Sequence, residues 1–184
     1  MNEEPEQRQK PGGKTPVKRN ALELAASLLA VRACTKKELR DKMKKKGLHT
    51  YPEIAHAIAE LERMGYLSDR RYAEDAIGIL RSRGFGPLRI RAKLLSKGID
   101  PELLKELMSQ TACSGEESGE DDVTRASAVL ERNGGRFAKD EPLRRKQRAL
   151  RFLAGKGFPA AIVYRVVDDW EKKQKGGDCN DDPF

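Results

Sequence analysis

Residues 87–99 read PLRIRAKLLSKGI, and this short stretch decides the fold. Pro87 suits the first turn of a helix, where its missing N–H would have had no partner anyway. Ile90 and Leu94 lie four apart and so share one helix face. Gly98 supplies the residue type that ends helices in a left-handed turn. The ending then recurs. Lys46-Gly47-Leu48, Lys97-Gly98-Ile99 and Lys156-Gly157-Phe158 are three copies of one Lys-Gly-apolar step. Four residues before each glycine stands Met43, Leu94 or Leu153. Five after it stand Leu103 and Ile162; in the first copy Ile54 comes two residues later than this register. An internal period of roughly 50 residues marks a repeat architecture.

Working outward, each copy closes the middle helix of three. Before the first copy, Leu22, Ala25, Leu28 and Leu29 follow helical spacing over 21–31. Thr35 and Glu38 fit a capping box for the middle helix. A third helix follows Pro52, carries Ile54, Ile58 and Leu61, and stops at Gly65. The cycle restarts at Asp69, placed to cap a helix with Tyr72, Ala73, Ala76, Ile77 and Leu80. Gly84-Phe85-Gly86-Pro87 breaks that helix, and Asp100-Pro101 opens one with Leu103, Leu104 and Leu107. The third cycle spans helices over 123–130, 143–156 and 159–170, the last with Ile162, Val163, Val166 and Val167. No segment alternates with period two, so no sheet is expected. The expected fold is all-α: three tandem three-helix repeats stacked into an elongated, slightly curved body. Its divisions are a disordered basic tail (1–19), repeat 1 (20–65), repeat 2 (66–113), an acidic Gly/Ser linker (114–122), repeat 3 (123–172) and a flexible tail (173–184). Tyr66, Leu67, Ile90 and Leu94 are expected in the core.

The 184 residues are 38% apolar and 36% charged, with aromatics at 5%. The net charge of +8 and pI near 9.4 favour an anionic partner: nucleic acid, an acidic protein surface or, as the weaker option, a membrane face. No apolar run approaches the roughly 18 residues that span a bilayer. The first twenty residues lack the apolar core of a secretion signal. Cys34, Cys113 and Cys179 are scattered and odd in number, which argues against a disulfide framework and a zinc site. A reducing cytoplasm is the compartment this composition suits.

The basic charge is concentrated in the middle helices. The first carries Lys36, Lys37, Arg40, Lys42, Lys44, Lys45 and Lys46 against Glu38 and Asp41. Residues 81–97 hold Arg81, Arg83, Arg89, Arg91, Lys93 and Lys97 with no acid. Arg144, Arg145, Lys146, Arg148, Arg151 and Lys156 do the same in the third. The third helices are acidic instead. If the repeats stack, the middle helices form a ridge of one sign, suited to a long polyanion or an acidic groove. Arg40, Lys44, Arg81, Arg83, Arg89, Arg91, Lys93, Lys97, Arg148 and Arg151 are the candidate contacts. Arg89 and Lys93, four apart, are expected on a face where substitution leaves the fold intact. Base-specific reading is not indicated. His49 and His56 have no further ligands beside them, and no nucleophile–base pair or phosphate-binding loop pattern is present, so no catalytic, metal or cofactor site is expected.

Residues 65–99 carry a Gly-Tyr-Leu-x-Asp start, an aromatic-Ala pair, a Gly-x-Gly-Pro break, then Arg-Ile and Leu-x-x-Lys-Gly-Ile. This resembles the signature of the RecX regulatory family. Looser similarity covers 21–29 and 151–158, and in all about residues 20–171. The resemblance implies tandem three-helix repeats. It also implies a cytoplasmic, monomeric, non-enzymatic protein that binds the RecA filament on single-stranded DNA. Such a protein suppresses ATP hydrolysis, strand exchange and co-protease activity, and so modulates recombination, DNA repair and the SOS response. Single- or double-stranded DNA is a further partner on this reading. The acidic stretch at 115–122 departs from the family pattern and bears on how rigidly repeat 3 is held. Two other readings stay open on the residues alone: a sequence-independent DNA-binding protein of helix-turn-helix-like units, and a helical scaffold for an acidic protein.

Overall fold

A computed structural model describes residues 20–110, 118–137 and 139–176. Among these residues the chain is helical throughout, without strands. The order is α1 (Ala21–Val31), α2 (Lys36–Lys46), α3 (Tyr51–Arg63), α4 (Asp69–Ser82), α5 (Pro87–Ser96), α6 (Pro101–Gln110), α7 (Ser118–Gly134), α8 (Pro142–Lys156) and α9 (Ala160–Gly176). Lengthwise packing joins helices within each successive trio. The architecture is therefore three tandem three-helix repeats.

Local chemistry sets the ends. Thr35 Oγ1 accepts from the amide of Glu38 and starts α2. Thr50 and Glu53 form a full capping box on α3, and Asp100 Oδ1 accepts from the amides of Glu102 and Leu103 at the start of α6. Gly47 and Gly157 close α2 and α8 with φ of 65° and 90°, in the left-handed region where other residues are strained.

Each repeat has its own core. Leu24, Leu39, Met43, Ile54, Ile58 and Leu61 fill the first. Ile77, Ile90, Leu94, Leu104 and Leu107 fill the second. Leu130, Leu153, Val163, Val167 and Trp170 fill the third. Met43, Leu94 and Leu153, the residues four before each repeating glycine, are all 2% exposed or less.

Several expectations need correction. Tyr66 is not core; it is 73% exposed, while Leu67 is 3% exposed. After Gly65 both Tyr66 and Leu67 turn their amides to the Leu61 carbonyl, and only the second side chain points inward. Ser68, not Asp69, caps α4, through Oγ to the amide of Arg71. The Thr35–Glu38 box forms only from the Thr35 side, because the Glu38 carboxylate pairs with Lys97. Helix α7 starts at Ser118, inside the stretch read as linker, because Asp121 and Asp122 pair with Arg125 one turn on. Helix α9 runs to Gly176, past the expected end, with Lys173 reaching Glu131 of α7. The tail at 1–19, the linker residues 114–117 and the tail from 177 lie outside the described residues.

The repeats meet at helix ends. At the first joint, the C-terminal end of α5 sits on the N-terminal end of α2. Thr35 Oγ1 donates to the Lys97 carbonyl at 2.6 Å, Lys97 pairs with Glu38, and the amide of Lys36 donates to Asp69 Oδ1 at 2.9 Å. At the second joint, the C-terminal end of α8 sits on the N-terminal end of α5. The amides of Gly86 and Leu88 donate to the carbonyls of Lys156 and Gly157 at 2.9 and 3.0 Å. Arg125 adds a bond from α7 to the Phe85 carbonyl at 2.9 Å. A Cβ on Gly86 would overlap the Gly157 carbonyl group, a Cβ on Gly157 would overlap Arg89, and one on Gly98 would overlap Lys37. The two glycines of the Lys-Gly step that face another repeat are thus contact residues as well as helix stops. A Cβ on Gly47 would meet nothing among the described residues.

Two alanine substitutions should move stability in opposite directions. Gly86→Ala forces backbone apart at the joint and should cost about 1–3 kcal/mol, as overpacking does. Gly78→Ala lies inside α4 with open space around it and should gain about 0.5–1 kcal/mol from helix propensity. Thermal melts of the two variants check this; equal shifts would show that the joint tolerates a side chain at Gly86.

Candidate functional site: the basic middle helices

The end-on joints place α8, α5 and α2 in series, each carbonyl end against the amide end of the next helix. That arrangement sets the negative end of one helix dipole beside the positive end of the following one. It also joins the three most basic segments of the chain. Helices α5 and α8 contain no acid.

The sequence-derived candidates fall into distinct settings. On α2, Arg40 is half-buried, and Lys44 is exposed with its ammonium 5.2 Å from the Tyr51 ring centre. On α5, Arg91 is exposed and has no acid partner among the described residues. On α8, Arg151 is the same. Arg83 is exposed at the C-cap of α4. Arg81 is half-buried near Asp122 and Arg125 at the second joint. Burial pushes the Asp122 carboxyl up and the Arg125 guanidinium down, ahead of their attraction for each other. Lys97 and Arg148 are already engaged, Lys97 by Glu38 and Arg148 by Asp140 with the Phe137 ring at 5.4 Å.

The structure brings Arg89 and Lys93 together, but not on a bare surface. Both stand over the Phe85 ring, at 5.0 and 4.4 Å from its centre, and Lys156 from α8 joins them at 5.2 Å. Arg89 also donates to the Gly155 carbonyl and packs against Gly157. The expectation that Arg89 is dispensable to the fold is therefore corrected: it is a joint residue. Phe85 was missed as a site residue because Gly84-Phe85-Gly86-Pro87 reads as a plain helix break. An aromatic residue between two glycines ahead of a basic helix was the available signal.

The acidic third helices take up part of the charge. Lys36 pairs with Glu62, Arg70 with Glu106 at 2.9 Å, and Lys146 with Asp168 at 2.7 Å and Glu171 at 3.4 Å. Among the described residues, Arg91 on α5 and Arg151 on α8 have no acid partner, and neither have Arg71 and Arg83 of α4 and its C-cap, Lys105 of α6 or Arg132 of α7. Among the described residues no group of His, Cys, Asp and Glu is placed to hold a metal ion. None of the helices they form is long and apolar enough to cross a membrane.

Models of the first, second and third three-helix domains of RecX match residues 21–61, 68–108 and 120–167. The chain belongs to the RecX family. It is similar to the regulatory protein RecX of Legionella pneumophila, 34% identical over 149 residues, which is 81% of this chain and 93% of that protein. The regulatory protein RecX of Thermus thermophilus is also 34% identical, over 158 residues, covering 86% of this chain and 95% of its own. The crystal structure of RecX from Lactobacillus salivarius superposes with a TM-score of 0.68 at 21% identity, over 81% of this chain and 93% of that one. A second crystal structure of a regulatory protein RecX gives 0.69 at 20% identity, over 83% and 71%. The RecX structures establish the shared fold, and the family gives the chain a regulatory role.

The first joint should respond to acid. Burial pushes the Glu38 carboxyl up, but the hydrogen bond and charge of Lys97, the charge of Arg32 and the Thr35 backbone pull harder, so it titrates below the ordinary range. A depressed carboxylate contributes stability that is complete above the unfolded value, about 4.3, and is lost as pH falls through the folded value. Glu38→Gln should cost about 1.5–3 kcal/mol at pH 7, as loss of a charged hydrogen bond does. Melts of wild type and variant from pH 7 to 3 should converge at the acid end. A gap that stays constant with pH would show that the carboxylate charge does not hold the joint.

Proposed function

We propose that this chain binds the RecA recombinase filament on single-stranded DNA and inhibits its ATP hydrolysis, strand exchange and co-protease activity. It acts in the cytoplasm, as a monomer and by binding alone, with no chemistry of its own. In that role it modulates recombination, DNA repair and the SOS response. Membership of the RecX family supports the reading. The observation that carries it furthest is the end-on series α8–α5–α2, which gathers unpaired cations along one run of helices. A filament offers a groove that repeats along its length, and a chain of tandem repeats suits such a groove better than a point contact. Charge of one sign steers association with an anionic partner and makes it salt-dependent.

The contact residues on this reading are Arg40, Lys44, Arg81, Arg83, Arg89, Arg91, Lys93 and Arg151. Lys97 and Arg148 take part after exchanging the acids that now hold them. Arginine predominates, as suits phosphate and carboxylate recognition through a planar fork.

Arg91 and Arg151 separate binding from folding, because both are exposed and unpaired. Arg91→Glu with Arg151→Glu should shift stability by no more than about 0.5 kcal/mol per site. Inhibition of RecA-driven ATP hydrolysis on single-stranded DNA should weaken about tenfold or more, with a flatter dependence on salt. A double variant that melts and inhibits like wild type would place the contact surface elsewhere. A folded wild-type protein with no effect on ATP hydrolysis or filament length would leave binding to DNA alone as the better reading.

A further inference from the structure

We propose that residues 177–184 turn back from the end of α9 into the cavity between α7, α8 and α9, with Asp181 and Asp182 at the Arg145 guanidinium and Phe184 against Gly135 and the edge of the Trp170 ring. The contact is internal to the chain and stands apart from the surface proposed to meet the filament.

The cavity measures about 350 Å³ and is lined from all three helices of the third repeat. Ligand pockets run from about 300 to 1,000 Å³, so this one takes one or two side chains and not a helix. Trp170 forms the floor and is 6% exposed. Its ring lies so close to the α7 backbone that a Cβ on Gly134 would come within 3.2 Å of Cζ2, whereas a Cβ on Gly135 would meet nothing. The wall is open at Gly135. Arg145, near the start of α8, stands over the Trp170 ring with Cζ 6.0 Å from its centre. Its Nε is buried and has no hydrogen-bond partner among the described residues. Buried polar atoms are nearly always bonded, and a carboxylate is the group that matches a guanidinium best. Glu131 on the rim is already taken by Lys173 at 3.4 Å. The cavity thus wants an acid for Arg145 and has space for an apolar group beside it.

The segment after α9 supplies both. Residues 177–184 read GDCNDDPF, with three aspartates, no lysine or arginine, and Phe184. The segment also leaves its helix beside the cavity, because Lys173 and Gln174 in the last turn of α9 line the rim. From Gly176 back to the level of Trp170 is six residues of helix, about 9 Å. Asp182 stands six residues beyond Gly176, and extended chain covers about 20 Å in that length. The Gly176-Gly177 pair has the backbone freedom that a reversal needs. Carboxylates placed there also meet the positive end of the α8 dipole. So short a tether gives the segment a high effective concentration at the cavity, which the same segment of a second copy lacks.

Trp170 is the only tryptophan of the chain, so its indole N–H gives one unambiguous signal in a proton–nitrogen correlation spectrum of the full protein. Phe184→Ala should move that signal, and so should Asp181→Asn with Asp182→Asn, in the same direction. Raising wild type to about 1 M salt, where charge is screened beyond about 3 Å, should move it the same way. Dilution should leave it in place. In an Arg145→Lys background, which keeps the charge but loses the planar fork, the aspartate substitutions should lose their effect. A signal that neither tail variant moves would overturn the proposal. An undiminished aspartate effect in the Arg145→Lys background would show that the acids rest elsewhere, which also overturns it. A signal that shifts on dilution would show the cavity filled by a second copy, and the internal contact would be wrong.

Discussion

Carbonyl groups at the C-terminal end of α8 receive the first amides of α5, and the carbonyl end of α5 receives the Thr35 hydroxyl at the start of α2. Helix ends are where backbone groups lack partners within the helix. Here two such ends supply each other. The constraint this sets is severe, because two backbones must approach closely enough to bond. Gly86 and Gly157 permit it at the second joint; at the first, Gly98 leaves room for the Lys37 side chain. Everything else about the surface follows from that approach. It fixes the order of the middle helices, brings basic residues of different repeats side by side, and leaves the acidic third helices to balance other cations.

The joints are alike without being copies. At the second, amide-to-carbonyl bonds connect backbone to backbone. At the first, side chains intervene: Thr35, Glu38 and Asp69 each make one of the bonds. The first joint therefore depends on a carboxylate and the second on glycine. At the outer end of the series Glu141 is the N-cap of α8, a position that Gly86 occupies in α5. A side chain stands there where the internal joint leaves none. Gly47 at the other end faces open space.

Much of the fold was legible in the sequence, and the reasons are local. Met43, Leu94 and Leu153 at a fixed distance before a glycine gave the repeat, because a helix face and a left-handed stop are both written in neighbouring residues. The family signature over 65–99 agreed with it. What was not legible is long-range. Asp69 looks like an N-cap, yet its carboxylate serves the amide of Lys36 in another repeat. Glu38 looks like half of a capping box, yet its partner is 59 positions away. The acidic run before Val123 has the composition of a linker, yet Asp121 and Asp122 find Arg125 and lengthen α7. For the surface, charge marked the candidates, but only the fold separates Lys97 and Arg148, held by acids, from Arg91 and Arg151, which are not, and sets Arg81 and Arg83 on α4 and its C-cap and not on a middle helix.

On the proposed function, the joints assemble α2, α5 and α8 into the surface that meets the recombinase filament. A cryo-electron-microscopy reconstruction of this chain bound to RecA on single-stranded DNA tests it most directly. The account predicts α2, α5 and α8 facing the filament groove. A reconstruction in which the acidic helices α3, α6 and α9 face the groove, and the middle helices face solvent, would contradict it.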